Sequence, residues 1–195
     1  PAVALATLRK LTLLVRALKA HSGKYKVVAG KPLPPDLLAE NPDDVLAGAA
    51  NLRKQLENVA LHGVPPVVAV NAFPTDHRSE HEAIRAVAAE LGARSAVCTH
   101  FADGGRGATE LAEAVAEAAD EPSRFGFLYP DEASLREKIE TVARRVYGAA
   151  GVSYSGRAAR QLDTYERAGF GTLPVCIAKT HLSISSDPAL KGAPA

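Results

Sequence analysis

Tryptophan and methionine are absent from the 195 residues, and cysteine occurs only twice. Cys98 and Cys176 lie far apart, each in an apolar run, with no spacing that suits a disulfide framework or a metal site. Both are expected as buried, reduced thiols in strands of a cytoplasmic protein. An excess of either charge is also missing: the formal net charge is +1, so neither nucleic acid nor an acidic membrane is an expected partner. No apolar run approaches the roughly 18–20 residues that a membrane span needs. No basic, apolar, small-residue signal opens the chain. The lack of methionine, with Pro1 first, reads as a processed start or a piece of something longer.

What is present is an ordinary core composition, 47% hydrophobic, which suffices for one large domain or a domain and a half. Apolar positions at Leu5, Leu8, Leu11, Leu14, Val15 and Leu18 recur at helical spacing, predicting a helix over residues 2–21. Arg16 and Lys19 read as late cations that complement its dipole, with Gly23 as the stop. A short extended piece, Tyr25 to Ala29, precedes a Gly/Pro loop. Asn41-Pro42-Asp43-Asp44 opens a second helix with a cap, proline in the first turn and early acids, running to Gly63.

From there strands and helices alternate. Strands are expected at 66–70, 95–98, 125–129 and 174–178. Helices are expected at 79–91, 107–119, 135–147 and 155–168. Short, continuous apolar strands separated by helices mean a mostly parallel sheet with helices on both faces, an α/β fold. Residues 1–65 are expected to form a helical segment packing on the core, and 66–195 the parallel α/β domain.

In open parallel sheets, ligands bind beyond the carboxyl ends of the strands. After Val70 comes Asn71-Ala72-Phe73-Pro74-Thr75-Asp76. After Cys98 comes Thr99-His100-Phe101-Ala102-Asp103, then Gly104-Gly105-Arg106-Gly107. After Ala178 comes Lys179-Thr180-His181, then Ser183, Ser185 and Asp187. With only five Phe in the chain, two at matching loop positions invite a stacking site for a flat heterocycle. Each ring face would add about 0.5–1.5 kcal/mol beyond area burial. The alternative is that Phe73 and Phe101 plug the sheet edge, and both readings stand at this point.

The remaining motifs are weaker. The glycines of 104–107 suit either an anion at a helix start or a tight turn. No GxxxxGK[ST] phosphate loop occurs. His77 and His81 are spaced i,i+4 but lack the HExxH pattern and a third ligand, so no metal site is expected and a solvated helix face is. His100 and His181 are candidates for polar contact with a ligand. Lys179 is a candidate partner for a phosphate or carboxylate, or a solvated cap. Asp76 is expected to cap the following helix. No Ser-His-Asp or Cys-His order stands out, and the catalytic residues stay unassigned.

Several long stretches, in order, resemble the formate–tetrahydrofolate ligase (formyltetrahydrofolate synthetase) family. They are VRALKAHSG (15–23), PLPPDLLAEN (32–41), VAVNAFPTD (68–76), THFADGGRGATELAEAV (99–115), FLYPDEASLREKIETVARRVYGAAGVSYS (127–155) and GFGTLPVCIAKTHLSISSDPALKGAP (169–194). The resemblance implies a P-loop-NTPase-like core without its phosphate loop, as the carboxyl-side portion of a longer chain. It implies ATP-dependent formylation of tetrahydrofolate at N10 through formyl phosphate. ATP with magnesium, formate and tetrahydrofolate would be substrates of the intact enzyme, with no prosthetic group. The partners implied are the remainder of the ligase chain and further copies in a homo-oligomer.

In that family a pterin lies between two aromatics, which match Phe73, in its Asn71 to Asp76 turn with Pro74 and Thr75, and Phe101. The second is commonly Trp, so Phe101 implies weaker stacking. Lys179, Thr180, Ser183 and Ser185 match a segment near the adenine of ATP. The family's His-Gly-Gly reads His21-Ser22-Gly23 here. A piece with no phosphate loop would be inactive alone. Two other readings stay open: a non-catalytic folate- or nucleotide-binding module, and an α/β domain whose edge aromatics are structural.

Overall fold

A computed structural model describes residues 10–177, apart from residues 29 and 123. The chain divides into two compact units, Pro1–Phe125 and Gly126–Ala195.

The first unit is built on a parallel sheet. Strands β1 (Lys10–Leu13), β2 (Val67–Asn71) and β3 (Arg94–Cys98) lie in the order β1-β2-β3, with β2 central. Lys10 pairs with Val67, and Asn71 with Cys98. Helices α1 (Val15–His21), α2 (Pro35–Leu38), α3 (Pro42–Ala47) and α4 (Ala50–Ala60) fill the crossover from β1 to β2. Helix α5 (Arg78–Glu90) joins β2 to β3. The one-turn helix α6 (His100–Asp103), a 3₁₀ segment (Gly104–Ala108) and α7 (Thr109–Asp120) follow β3.

Val67, Val68, Ala69 and Val70 are all at most 2% exposed. Successive strand side chains point to opposite faces, so both faces of β2 are covered. Val68 and Val70 join Val15, Leu18, Val45, Leu52, Leu56, Ile84 and Val87 in one core cluster. Helix α7 packs on β3 and β2. Each fully buried aliphatic side chain contributes about 1.5–3 kcal/mol. The α/β sheet that the sequence implies is therefore present, with helices around it.

Several local expectations are corrected. Residues 10–13 are strand, not helix; residues 2–9 lie outside those described. Leu11 fits the helical spacing, but Leu11 and Leu13 together satisfy a period of two, and pairing with the edge of β2 decides the matter. Arg16 consequently sits in the first turn of α1, not near its end. The helix expected from Asn41 to Gly63 is broken between α3 and α4. Asn41 caps α3 as anticipated, its Oδ1 accepting from the Asp44 N–H at 3.1 Å. At the break, a Cβ on Gly48 would lie 1.8 Å from the Leu18 carbonyl oxygen. Only glycine lets α1 and this turn approach so closely.

Tyr25 does not extend a strand. Its hydroxyl donates to the buried Asp44 carboxylate, which also takes Lys24. Asp44 is held below the usual carboxylate range first by Lys24 and then by Tyr25. The same bond pushes the Tyr25 phenol up to about 12.

The second unit contains α8 (Leu135–Thr141), extended by a π-helical turn over Val142–Val146, and α9 (Gly156–Tyr165), extended by another over Glu166–Phe170. Ser134 and Glu137 form a reciprocal capping box on α8. Arg136 pairs with Asp163 at 2.9 Å, and Glu166 accepts from the Leu135 N–H at 2.8 Å, tying α8 to α9. Residues 125–129 and 174–177 are not strands. A side chain, not a neighbouring strand, serves the backbone there: the Tyr129 hydroxyl accepts from Val175 N–H at 3.0 Å. Pro174 has no N–H to offer a ladder. Cys176 is exposed rather than buried, whereas Cys98 is buried as expected. Lys138 is fully buried and caps the carbonyls of Asp131, Gly171 and Leu173 at 2.6, 2.6 and 3.2 Å.

No helix of the described residues is long and apolar enough to cross a membrane.

One buried ion pair locks the first unit. Lys19 on α1 and Glu80 in the first turn of α5 are each 1% exposed, 2.7 Å apart. Lys19 also donates to the Ala39 carbonyl at 2.5 Å. Glu80 accepts from the N–H groups of Asn41 and His77, both at 3.1 Å. Burial alone would raise the Glu80 carboxyl; Lys19 and the two N–H groups overturn this and hold it below the usual range. Lys19→Met leaves that carboxylate buried without its cation and is expected to cost about 3–5 kcal/mol in urea unfolding at neutral pH. The pH dependence follows from the depressed value. The contribution of Glu80 is present above the unfolded carboxyl pKa, about 4.3, and lost as pH falls through the folded one. Without Lys19 the folded value rises, so acid unfolding of Lys19→Met is expected to begin at higher pH than in the wild type.

Candidate functional site at the carboxyl edge of the sheet

Because Asn71 pairs with Cys98, the chain leaves β2 and β3 side by side at one edge. The Ala72 N–H donates to the Cys98 carbonyl at 3.0 Å, so the two loops start in register. This places the 71–76 and 99–107 segments together, as neighbouring strands would require.

The first loop is a braced turn. The Asp76 N–H donates to the Phe73 carbonyl at 2.9 Å, and the Phe73 N–H donates to Asp76 Oδ2 at 2.9 Å. Asp76 therefore closes the Phe73 turn, and does not cap α5 as expected; His77 occupies the N-cap position. Asn71 is half-buried at the strand end, while Pro74 and Thr75 are exposed at the tip. Phe73 is half-buried, and the Arg16 guanidinium carbon lies 3.6 Å above its ring centroid. Sequence reading missed this contact, because it put Arg16 at the wrong end of a helix.

The second loop leaves its aromatic free. Phe101, on α6, is 91% exposed. A side chain that plugged the sheet edge would be buried, so the plugging reading does not describe Phe101. The loop itself is held from behind. Thr99 Oγ1 donates to Asp103 Oδ2 at 2.7 Å, and the Thr99 N–H donates to the Gly107 carbonyl at 2.9 Å. His100 Nδ1 lies 3.2 Å from Cys98 Sγ, so its ring engages the strand end. A Cβ on Gly107 would lie 2.6 Å from the Thr99 carbonyl carbon. Gly107 thus supports a tight packed turn, Gly104 takes a positive φ of 59°, and residues 104–108 form the 3₁₀ segment before α7.

The histidine pair does not form a shared site. His77 Nε2 lies 3.3 Å from the Leu38 carbonyl, and His81 Nε2 lies 3.7 Å from Asp76 Oδ2. His81 is mostly buried, not part of a solvated face. Among the described residues, no group of three or more His, Cys, Asp or Glu converges as a metal site would require. Lys179, Thr180, His181, Ser183, Ser185 and Asp187 lie outside the described residues.

The architecture is that of an α/β protein with two aromatic-bearing loops at the carboxyl edge of a parallel sheet. The family model described as formate–tetrahydrofolate ligase matches residues 6–195, and the chain belongs to that family. It is 73% identical over 184 residues to the formate–tetrahydrofolate ligase of Saccharopolyspora erythraea, covering 94% of this chain and 33% of that protein. It is 65% identical over 189 residues to formate–tetrahydrofolate ligase 3 of Rubrobacter xylanophilus, covering 92% and 33%. Identity to the ligase of Cutibacterium acnes is 56% over 184 residues, covering 94% and 33%. The chain spans about a third of the length of the curated relatives it matches.

The close approach at Gly107 gives a direct check on the Phe101 loop. Gly107→Ala drives a Cβ into the Thr99 backbone and hydroxyl and is expected to cost about 1–3 kcal/mol in urea unfolding. Gly105→Ala meets nothing within 4 Å and is expected to stay within about 0.5 kcal/mol of wild type.

Proposed function

We propose that this chain supplies the tetrahydrofolate side of a formate–tetrahydrofolate ligase, which formylates N10 of tetrahydrofolate at the expense of ATP through formyl phosphate. The observation that carries the proposal is the exposed Phe101 beside the braced Phe73 turn, at the edge where parallel sheets bind ligands. The two rings stack the pterin. Pro74 stiffens the tip, Asp76 fixes the direction of Phe73, and Asn71 and Thr75 offer polar groups to the heterocycle's edge.

Holding the pterin in this way orients the attached N10 amine. Positioning of a nucleophile against an activated acyl group is itself a large share of such a rate enhancement. The activated formyl group would come from residues beyond this stretch, because no phosphate loop occurs in it. Lys179, Thr180, Ser183 and Ser185 are proposed to lie toward the adenine of ATP. The same reading makes the whole protein a cytoplasmic homo-oligomer with ATP, formate and tetrahydrofolate as its small-molecule substrates.

Titration calorimetry with tetrahydrofolate tests the stacking role. Phe101→Ala is expected to weaken binding about threefold to tenfold, and Phe101→Trp to strengthen it. Equal affinity across wild type and both variants would remove the stacking role. In a coupled assay, the 195-residue chain by itself is expected to show no formate-dependent ATP hydrolysis, since clamping of the transferred phosphoryl group supplies most of that chemistry. Sustained turnover would show that the donor groups lie within it.

A further inference from the structure

The two aromatics of the site differ in a way that the proposed function leaves unused. One face of Phe73 is covered by the Arg16 guanidinium, 3.6 Å from the ring centroid. A ligand that stacks on Phe73 is left the opposite face. Arg16 is held in place from its own helix: Lys19, one turn later on α1, is locked into the buried pair with Glu80. Among the described residues no carboxylate forms an ion pair with Arg16. Its charge is therefore presented to the ring without a neutralising partner.

A cation over one face draws the ring's π density toward itself. The opposite face becomes less negative, and its stacking preference moves toward electron-rich rings. A tetrahydropterin is electron-rich, because its N5 and N8 amines feed the pyrimidine. A fully oxidised pterin is electron-poor. We propose that Arg16 is a specificity-determining residue, acting through Phe73 to favour reduced over oxidised pterins at this edge. The inference rests on the folate reading above and extends it to oxidation state.

The test is the ratio of dissociation constants for folate and tetrahydrofolate, measured anaerobically by calorimetry on the 195-residue chain. Arg16→Gln keeps a planar group but removes the charge, and is expected to reduce the ratio about threefold to tenfold. Arg16→Lys keeps the charge and should retain most of it. Phe73→Leu removes the ring that transmits the effect and should reduce the ratio to the same degree, which decides the matter even if Arg16→Gln does not fold. A ratio unchanged in Arg16→Gln or Phe73→Leu, with both ligands still bound, overturns the role of Arg16 and leaves the folate reading intact. Failure of the wild-type chain to bind either ligand overturns the folate reading, and this inference with it.

Discussion

The buried Lys19–Glu80 pair is the constraint on which the first unit's geometry depends. A desolvated ion pair gains little net stability over apolar packing, but one partner without the other is very costly. The pair therefore fixes an arrangement more than it strengthens it. It joins α1, the Ala39–Asn41 linker and the first turn of α5 at one point. Both ends of the Phe73 contact depend on that point. Arg16 is one turn before Lys19 on α1, and the turn that carries Phe73 closes at Asp76, just before α5 begins. A core interaction thus determines where a guanidinium meets an aromatic ring at the sheet edge.

The two rings are supported differently, and the difference has physical content. Phe73 is preorganised by the Asp76 bonds and the cation behind it, so stacking on it costs little ordering entropy. Phe101 stands in water on a one-turn helix, and its loop is anchored through Thr99 and Gly107 instead of through the ring. A single exposed apolar side chain is common on protein surfaces. What gives this one meaning is its place, in register with the other loop beyond two paired parallel strands.

Much of this was legible in the sequence, and the misses share a cause. β2, β3 and α5 have one-sided or continuous apolar patterns that admit a single reading. Residues 10–13 do not: Leu11 fits the helical set and, with Leu13, the strand period, and only pairing with β2 makes them a strand. The same error moved Arg16 to the wrong end of its helix and hid its contact with Phe73. Lys19 reads in sequence only as a late cation complementing a helix dipole, and Glu80, 61 positions away, gives no local sign of being its buried partner. The apolar runs at 125–129 and 174–178 read as strands, but composition cannot say whether an edge is available to receive them. The Tyr129 hydroxyl supplies the polar contacts at Val175 that a ladder would otherwise provide.

The family and the geometry constrain each other at the site. Family membership motivates the proposed folate-side reading, and the structure narrows which described residues could serve it. Asp76 and Thr99 shape loops, His100 turns toward Cys98, and Gly107 packs against Thr99. What is left facing the edge is chiefly aromatic surface, with polar groups at Asn71 and Thr75. On the proposed reading, such a surface would recognise a flat ring mainly by area and by electron density, with Asn71 and Thr75 as the polar groups at its rim. If pterins bind here as proposed, discrimination between similar ones would rest largely on how the rings are polarised, and Arg16 is the charge stacked directly against one of them.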